Sequence, residues 1–383
     1  MNHLWTSMKS EINRRSFLKN GFAAAGMATA GTGLLVDAPS IFAREDEGHG
    51  SLTRGDAAIL RFAAAAEIIE SDFWAQYNEL TGIQDSELPD GGGNPKFTNA
   101  VTQLDMDMPQ YVHDNTDDEF THQAFLNAYL VSKGADPVSL EHFRTIEGSM
   151  AAGSSKKLRI TNLTRLTIDT SWWTRYRSGD HNPDLDPDFV FPQAVPSLGV
   201  GEHTAIPRND DDTSDSNFLQ AIANTAGFHF ATIEQGGSSL YPSMALRATS
   251  VEVLRILISI GPTETMHFQT WSDKAGNAPA ISATDTVTGV SVSFPNLNDP
   301  NFPTQPFTLE DFQTNLIMPE PCPFLSRKLP RCSVIRPTAT RGVAMGVVNF
   351  LTAMGLFKGQ TDPAFFTLLH DLAEDADEAR RER

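Results

Sequence analysis

The sequence predicts a mainly α-helical chain, a four-helix bundle with a long insertion, a small β-hairpin and a C-terminal extension. Three observations carry that expectation. Apolar residues recur at three- and four-residue spacing in four stretches, near 54–80, 116–133, 215–234 and 243–274. Two of those stretches each contain a Glu-x-x-His sequence, Glu119-Phe120-Thr121-His122 and Glu264-Thr265-Met266-His267. The other two each carry a glutamate among apolar neighbours, Glu67 (or Glu70) in the first and Glu234 in the third.

Taken in order, the first helix shows Ile59, Leu60, Phe62, Ala63, Ala66, Ile69, Phe73, Trp74 and Tyr77 on one side and stops at Thr81-Gly82. Residues 96–112, with Pro109, read as a short helix or an irregular connection. The second helix is expected from Thr116 or Asp117 to Gly134. Residues 135–215 form an insertion rich in Pro, Asp and Gly, with one helix expected near 155–176. So long an excursion is uncommon unless it is functional or separately packed.

In the third stretch, Gly236-Gly237 is expected to weaken the helix just after Glu234. In the fourth, Gly261-Pro262 should kink or restart the helix, because proline removes a backbone donor. The alternation Thr286 to Ser293 favours a hairpin. Gly342 to Phe357 reads as a core or amphipathic helix, too short to span a membrane, and the charged tail from Asp371 is expected to fray. The resulting organisation is 1–43 as a leader, 54–274 as the bundle interrupted by 135–215, and 275–383 as an extension packed on it.

Composition narrows the function classes. The 383 residues have a formal net charge of −19, with 40% hydrophobic and 20% charged residues. Four basic side chains (Lys9, Arg14, Arg15, Lys19) and two acidic ones (Glu11, Asp37) fall before residue 44, so the remainder is more acidic still. Such a surface repels nucleic acid and anionic lipid while attracting cations. The leader Asn13-Arg14-Arg15-Ser16-Phe17-Leu18-Lys19, followed by an apolar Ala/Gly run from Gly21 to Val36, resembles the twin-arginine (Tat) export signal. That resemblance implies a periplasmic or extracellular protein, exported already folded, with no stable membrane span after cleavage. In that compartment Cys322 and Cys332 can close a short disulfide loop or remain as two thiols.

The four glutamate-bearing stretches carry the chemistry. Residues three apart on a helix share a face, so each Glu-x-x-His pair can grasp one ion from one direction. A carboxylate and an imidazole on an apolar face need a reason, because an unpaired buried charge is expensive, and a metal supplies one. Singly, each glutamate reads as a solvated or ion-paired helix residue, and each histidine as a satisfied imidazole. Their order is Glu, Glu-x-x-His, Glu, Glu-x-x-His, one element per helix. That is the ligand pattern of ferritin-like di-iron and di-manganese bundles.

The phrase Ala66-Glu67-Ile68-Ile69-Glu70-Ser71-Asp72-Phe73-Trp74 further resembles the first-helix signature of exported ferritin-like proteins related to desiccation-associated proteins. The resemblance covers 54–133 and 215–274. It implies Glu67, Glu119, His122, Glu234, Glu264 and His267 as ligands, with Glu70 as an alternative to Glu67 or a neighbour bonded to it. Four carboxylates and two imidazoles without thiolate suit two iron or manganese ions. The expected function is therefore redox chemistry with O2 or peroxide, of catalase or ferroxidase type. The alternatives are a metal-free ferritin-like scaffold with a stress-protective or binding role, and an unrelated periplasmic binding protein. Trp74 and Tyr241, each seven residues after a glutamate, are expected to pack in the core rather than relay electrons. Glu202-His203 and His181 are read as solvated loop residues. Oligomeric state is left open, a dimer included.

Overall fold

A computed structural model describes residues 51–88, 91–177, 188–299, 316–317, 332–333 and 341–382. The expected leader with its export signal, His181, Cys322 and the side chain of Cys332 lie outside the described residues.

Helix α1, Arg54–Thr81, starts where the Thr53 hydroxyl accepts a hydrogen bond from the Asp56 amide, filling one of the donors a helix start leaves open. After the short α2, Pro95–Val101, comes α3, Met108–Ser132. It begins two turns earlier than the expected Thr116. Pro109 lies in its first turn, where the missing N–H is not needed, so the proline starts the helix instead of breaking a connection. Gly134, at φ 75°, ends it as expected.

The insertion does not contain the helix expected near 155–176. Its described part holds the antiparallel pair β1 (Ile146–Glu147) and β2 (Leu158–Arg159), one four-residue helix α4 (Trp172–Arg175) and several turns. Tertiary bonds replace helical ones here. Asp72 of α1 accepts from the Ile160 amide, the Thr161 amide and the Thr161 hydroxyl, and it pairs with Arg144. Arg159 pairs with the buried Glu79. Trp172 is buried and donates to Thr232 at 2.9 Å. The insertion is thus packed on the bundle by specific contacts.

Helix α5, Ser216–Ala245, and helix α6, Val251–Gly276, correct two expectations. The break between them falls at residues 246–250, not at Gly236-Gly237, and α6 passes through Pro262 without restarting. Pro262 is exposed and so is Ile258, whose carbonyl loses its donor, so water can take its place. The glycines serve close packing. A Cβ at Gly261 would lie 2.8 Å from Cβ of Tyr241, and one at Gly237 would lie 2.6 Å from Oε2 of Glu264.

Helices α1 and α3 pack as one pair and α5 and α6 as another. The pairs meet over a buried aromatic stack in which Trp74 lies 4.8 Å from Phe230 and 5.3 Å from Trp271 between ring centroids. The hairpin is present as β3 (Ile281–Thr284) and β4 (Ser291–Phe294), with the first half of the expected alternation spent on the turn. Strands β5 (Leu316–Ile317) and β6 (Cys332–Ser333) form a further antiparallel pair. Helix α7, Val343–Met354, matches the apolar segment. The tail does not fray at Asp371. Helix α8, Pro363–Glu378, buries Leu369, Leu372, Ala373 and Ala376 and packs on α1, with Arg247 bonded to Asp377 at 2.9 Å. No helix of the described residues is long and apolar enough to cross a membrane.

Candidate metal centre

Each helix of the bundle delivers its chemistry to one level of the core. Glu67 from α1, Glu119 from α3, Glu234 from α5 and Glu264 from α6 are all 0% exposed. His122 and His267, one turn beyond Glu119 and Glu264, point their Nδ1 atoms into the same space. His122 Nδ1 lies 3.0 Å from Glu119, 3.3 Å from Glu67 and 3.5 Å from Glu264. His267 Nδ1 lies 3.2 Å from Glu119 and 3.2 Å from Glu234.

The six side chains resolve into two quartets. One is Glu67, Glu119, His122 and Glu264, and the other is Glu119, Glu234, Glu264 and His267. In each, one ligand atom per residue lies within 4.8 Å of the others. Glu119 and Glu264 belong to both.

The electrostatics of the cluster suit cations. Burial, with the Glu119 charge adding to it, lifts the Glu67 carboxyl to about 7. Glu264 is driven well above the carboxylate range by burial and then by Glu119, Glu234 and Glu67. Glu234 is raised by burial too. Only Glu119 is lowered, because His122 and His267 together overcome its burial. His122 rises to about 11 against its own burial, held by Glu67 and Glu119. Neither oxygen of Glu264 meets a hydrogen-bond donor among the described residues, although both are buried. A buried carboxylate without donors is costly, and the residues present fit a pair of cations that would satisfy it. Oxygen-rich donors with two imidazoles and no thiolate match the preferences of iron and manganese.

The surrounding residues cross the bundle. Trp74, one helical stretch beyond Glu67, donates to Glu234 at 3.0 Å. Tyr241, equally far beyond Glu234, donates to Glu67. Both are buried, as the core expectation requires, and each also holds the glutamate of the opposite helix. Asn115 donates to Glu119 at 2.7 Å and to Glu234 at 3.1 Å, and its own oxygen accepts from Trp271 at 2.6 Å. Asp118 lies 3.1 Å from His267 Nε2 and so fixes which nitrogen faces the cluster. Sequence reasoning missed Asn115, Asp118 and Trp271. Asn115 and Trp271 each stand one turn from a motif residue, which was the available signal. Asp118 gave none, since a residue adjacent to Glu119 reads as facing away from it.

A match to the family model of the ferritin-like domain runs over residues 55–276, more than half of the chain. The chain belongs to the ferritin-like domain family. No curated protein and no solved structure matches it. The match includes the insertion as well as the four helices of this ferritin-like domain.

Glu70 is separated from Glu67 by position. Glu70 is half-buried, joins neither quartet, and lines a small cavity with Gly236, Gly237, Leu240 and Phe350. Two other histidines have local partners. His203 bonds the carbonyls of Ser197 and Val200, so it is a buried structural residue and not the solvated one expected. Its neighbour Glu202 pairs with Arg165 and Lys358. His113 lies 3.3 Å from Asp85 and 3.6 Å from Asp114, near Glu87, and the carboxylates of Asp114 and Asp85 raise its pKa.

Proposed function

We propose that this ferritin-like protein holds two iron or manganese ions and carries out redox chemistry with O2 or peroxide in the cell envelope. The observation that supports the reading most is the pair of quartets sharing Glu119 and Glu264, with both Glu264 oxygens short of donors. Glu119 and Glu264 would serve both ions, Glu67 and His122 would complete one set, and Glu234 and His267 the other. Such a pair of ions, when bound, supplies two electrons for exchange with O2 or peroxide.

The rest of the work falls to the chain itself. Trp74, Tyr241 and Asn115 hold the glutamates in place through hydrogen bonds that span helices. Asp118 keeps Nδ1 of His267 facing the carboxylates. The aromatic layer of Trp74, Phe230 and Trp271 closes one end against water. The His122 side chain, 13% exposed, leaves the other side accessible.

Elemental analysis of protein purified without chelators tests the centre. Wild-type chain is expected to carry about two ions of iron or manganese, and Glu119→Ala or His267→Ala to carry essentially none while keeping most helix content. Glu70→Gln should retain both. Wild-type metal content in Glu119→Ala would remove the site assignment. A wild-type chain that anaerobic Fe(II) and Mn(II) cannot load would be a metal-free scaffold instead.

Export rests on the run Asn13 to Lys19 and the apolar stretch after it. Changing Arg14 and Arg15 together to Lys is expected to leave the chain in the cytoplasmic fraction. Unchanged fractionation would mean that these residues are not the address.

A further inference from the structure

The two imidazoles of the cluster differ on their outer sides. His267 is backed by Asp118 at 3.1 Å. His122 has no such partner among the described residues, and it forms part of the wall of a groove of about 610 Å³ between α3 and α6. The other walls include Phe125, Tyr129, Ile256 and Ile260. Phe125 is 52% exposed, in stacked contact with Tyr129. The charged groups at the far end, Glu252 and Arg255, are already engaged, since Glu252 accepts from Tyr129 at 2.7 Å, pairs with Lys133 at 2.6 Å and is further held as a carboxylate by the charge of Arg255. What the groove offers a ligand is an apolar trough ending at an imidazole edge.

Nδ1 is turned to the carboxylates, and were it to hold an ion, the second nitrogen, Nε2, would carry the hydrogen and act as a donor. The volume falls in the range of small-molecule sites, roughly 300–1,000 Å³. Resting on the dinuclear reading above, we infer that the groove binds an apolar organic molecule whose head is a hydrogen-bond-accepting oxygen, placed against His122. The walls bind its body through apolar contact, and the head contacts the ligand side chain instead of the ions themselves. Access from this side brings an organic molecule next to one ion without opening the aromatic layer on the other.

Titration of the full chain with 2-naphthoate, by calorimetry and by the visible spectrum of the Co(II)-loaded protein, tests this. Binding with a shift of the cobalt bands is expected. 2-Methylnaphthalene, which lacks the oxygen, should bind at least about tenfold more weakly. Ser259→Trp, an exposed position on the groove wall, should weaken naphthoate at least about tenfold while metal content stays at wild type. Leu246→Trp, exposed and outside the groove, should leave it unchanged. Equal binding by Ser259→Trp, or equal affinity for 2-methylnaphthalene, overturns the inference. Failure to load any metal removes the dinuclear reading. In that case metal-free chain that binds naphthoate and loses it in Ser259→Trp still establishes the groove, and metal-free chain that does not bind it overturns the groove as well.

Discussion

Gly237→Ala is expected to cost this protein its metal, while Gly236→Ala leaves the metal in place and makes the protein more stable. In a helix interior, replacing glycine by alanine ordinarily stabilises by about 0.5–1 kcal/mol, because glycine has more backbone freedom to lose on folding. Gly236 follows that rule, as a Cβ there meets nothing within 4 Å. At Gly237 the added Cβ would lie 2.6 Å from Oε2 of Glu264 and 3.2 Å from its Cδ. The carboxylate can move aside, but it is one of the two shared by both quartets, so moving it disturbs both. Loss of at least about 10–100-fold in metal affinity is expected, by comparison with changes that misplace metal ligands elsewhere. Metal titration of the two variants beside wild type measures the difference. Wild-type affinity in Gly237→Ala would mean that Glu264 does not ligate from the position it holds here.

Removing the ions should give the protein a pH dependence that the loaded form lacks. Burial raises Glu67 from 4.5 to about 7 in the folded chain, so between those values the folded state keeps a proton that the unfolded state releases. This contribution to stability is fully present below about 4.5 and is lost as pH rises through 7. Glu234 and Glu264 shift in the same direction and add to it. Glu119 shifts the other way, but its effect lies below 4.5. His229, kept neutral to about 3 by burial, opposes the trend, yet it belongs to neither quartet and acts equally in both forms. Glu67 alone corresponds to a loss on the order of 3 kcal/mol, or several degrees in melting temperature for a domain of this size. Melting curves of chelated and loaded protein at pH 5 and pH 7.5 should diverge at the higher pH. Parallel curves would show that these carboxyls are not buried together in the metal-free chain.

Several misreadings share one cause. Gly236-Gly237 and Gly261-Pro262 read as a weak point and a kink in their helices, since local propensity treats glycine and proline as helix breakers. In the folded chain α5 and α6 run through both, and Gly237 and Gly261 provide the room in which Glu264 and Tyr241 sit. Pro109, in a stretch that reads as a short helix or an irregular connection, occupies the first turn of α3. The helix expected near 155–176 is absent because bonds to Asp72 and Glu79 of α1 hold that backbone in other conformations. Local propensity carries no information about those partners.

The sequence by itself determined the helices of the bundle and the six candidate ligands they carry. Helical spacing is a local property, so Glu119 with His122 and Glu264 with His267 had to share faces once the helices formed. Only the tertiary structure placed Glu67 among the other carboxylates and Glu70 against a separate small cavity, although the two lie on overlapping faces of one helix. It alone joined Trp74 to Glu234 and Tyr241 to Glu67, and set Asp118 behind His267 while leaving His122 to line a groove. Those pairings depend on how the helices rotate and approach one another, which is settled by close packing between residues far apart in the chain.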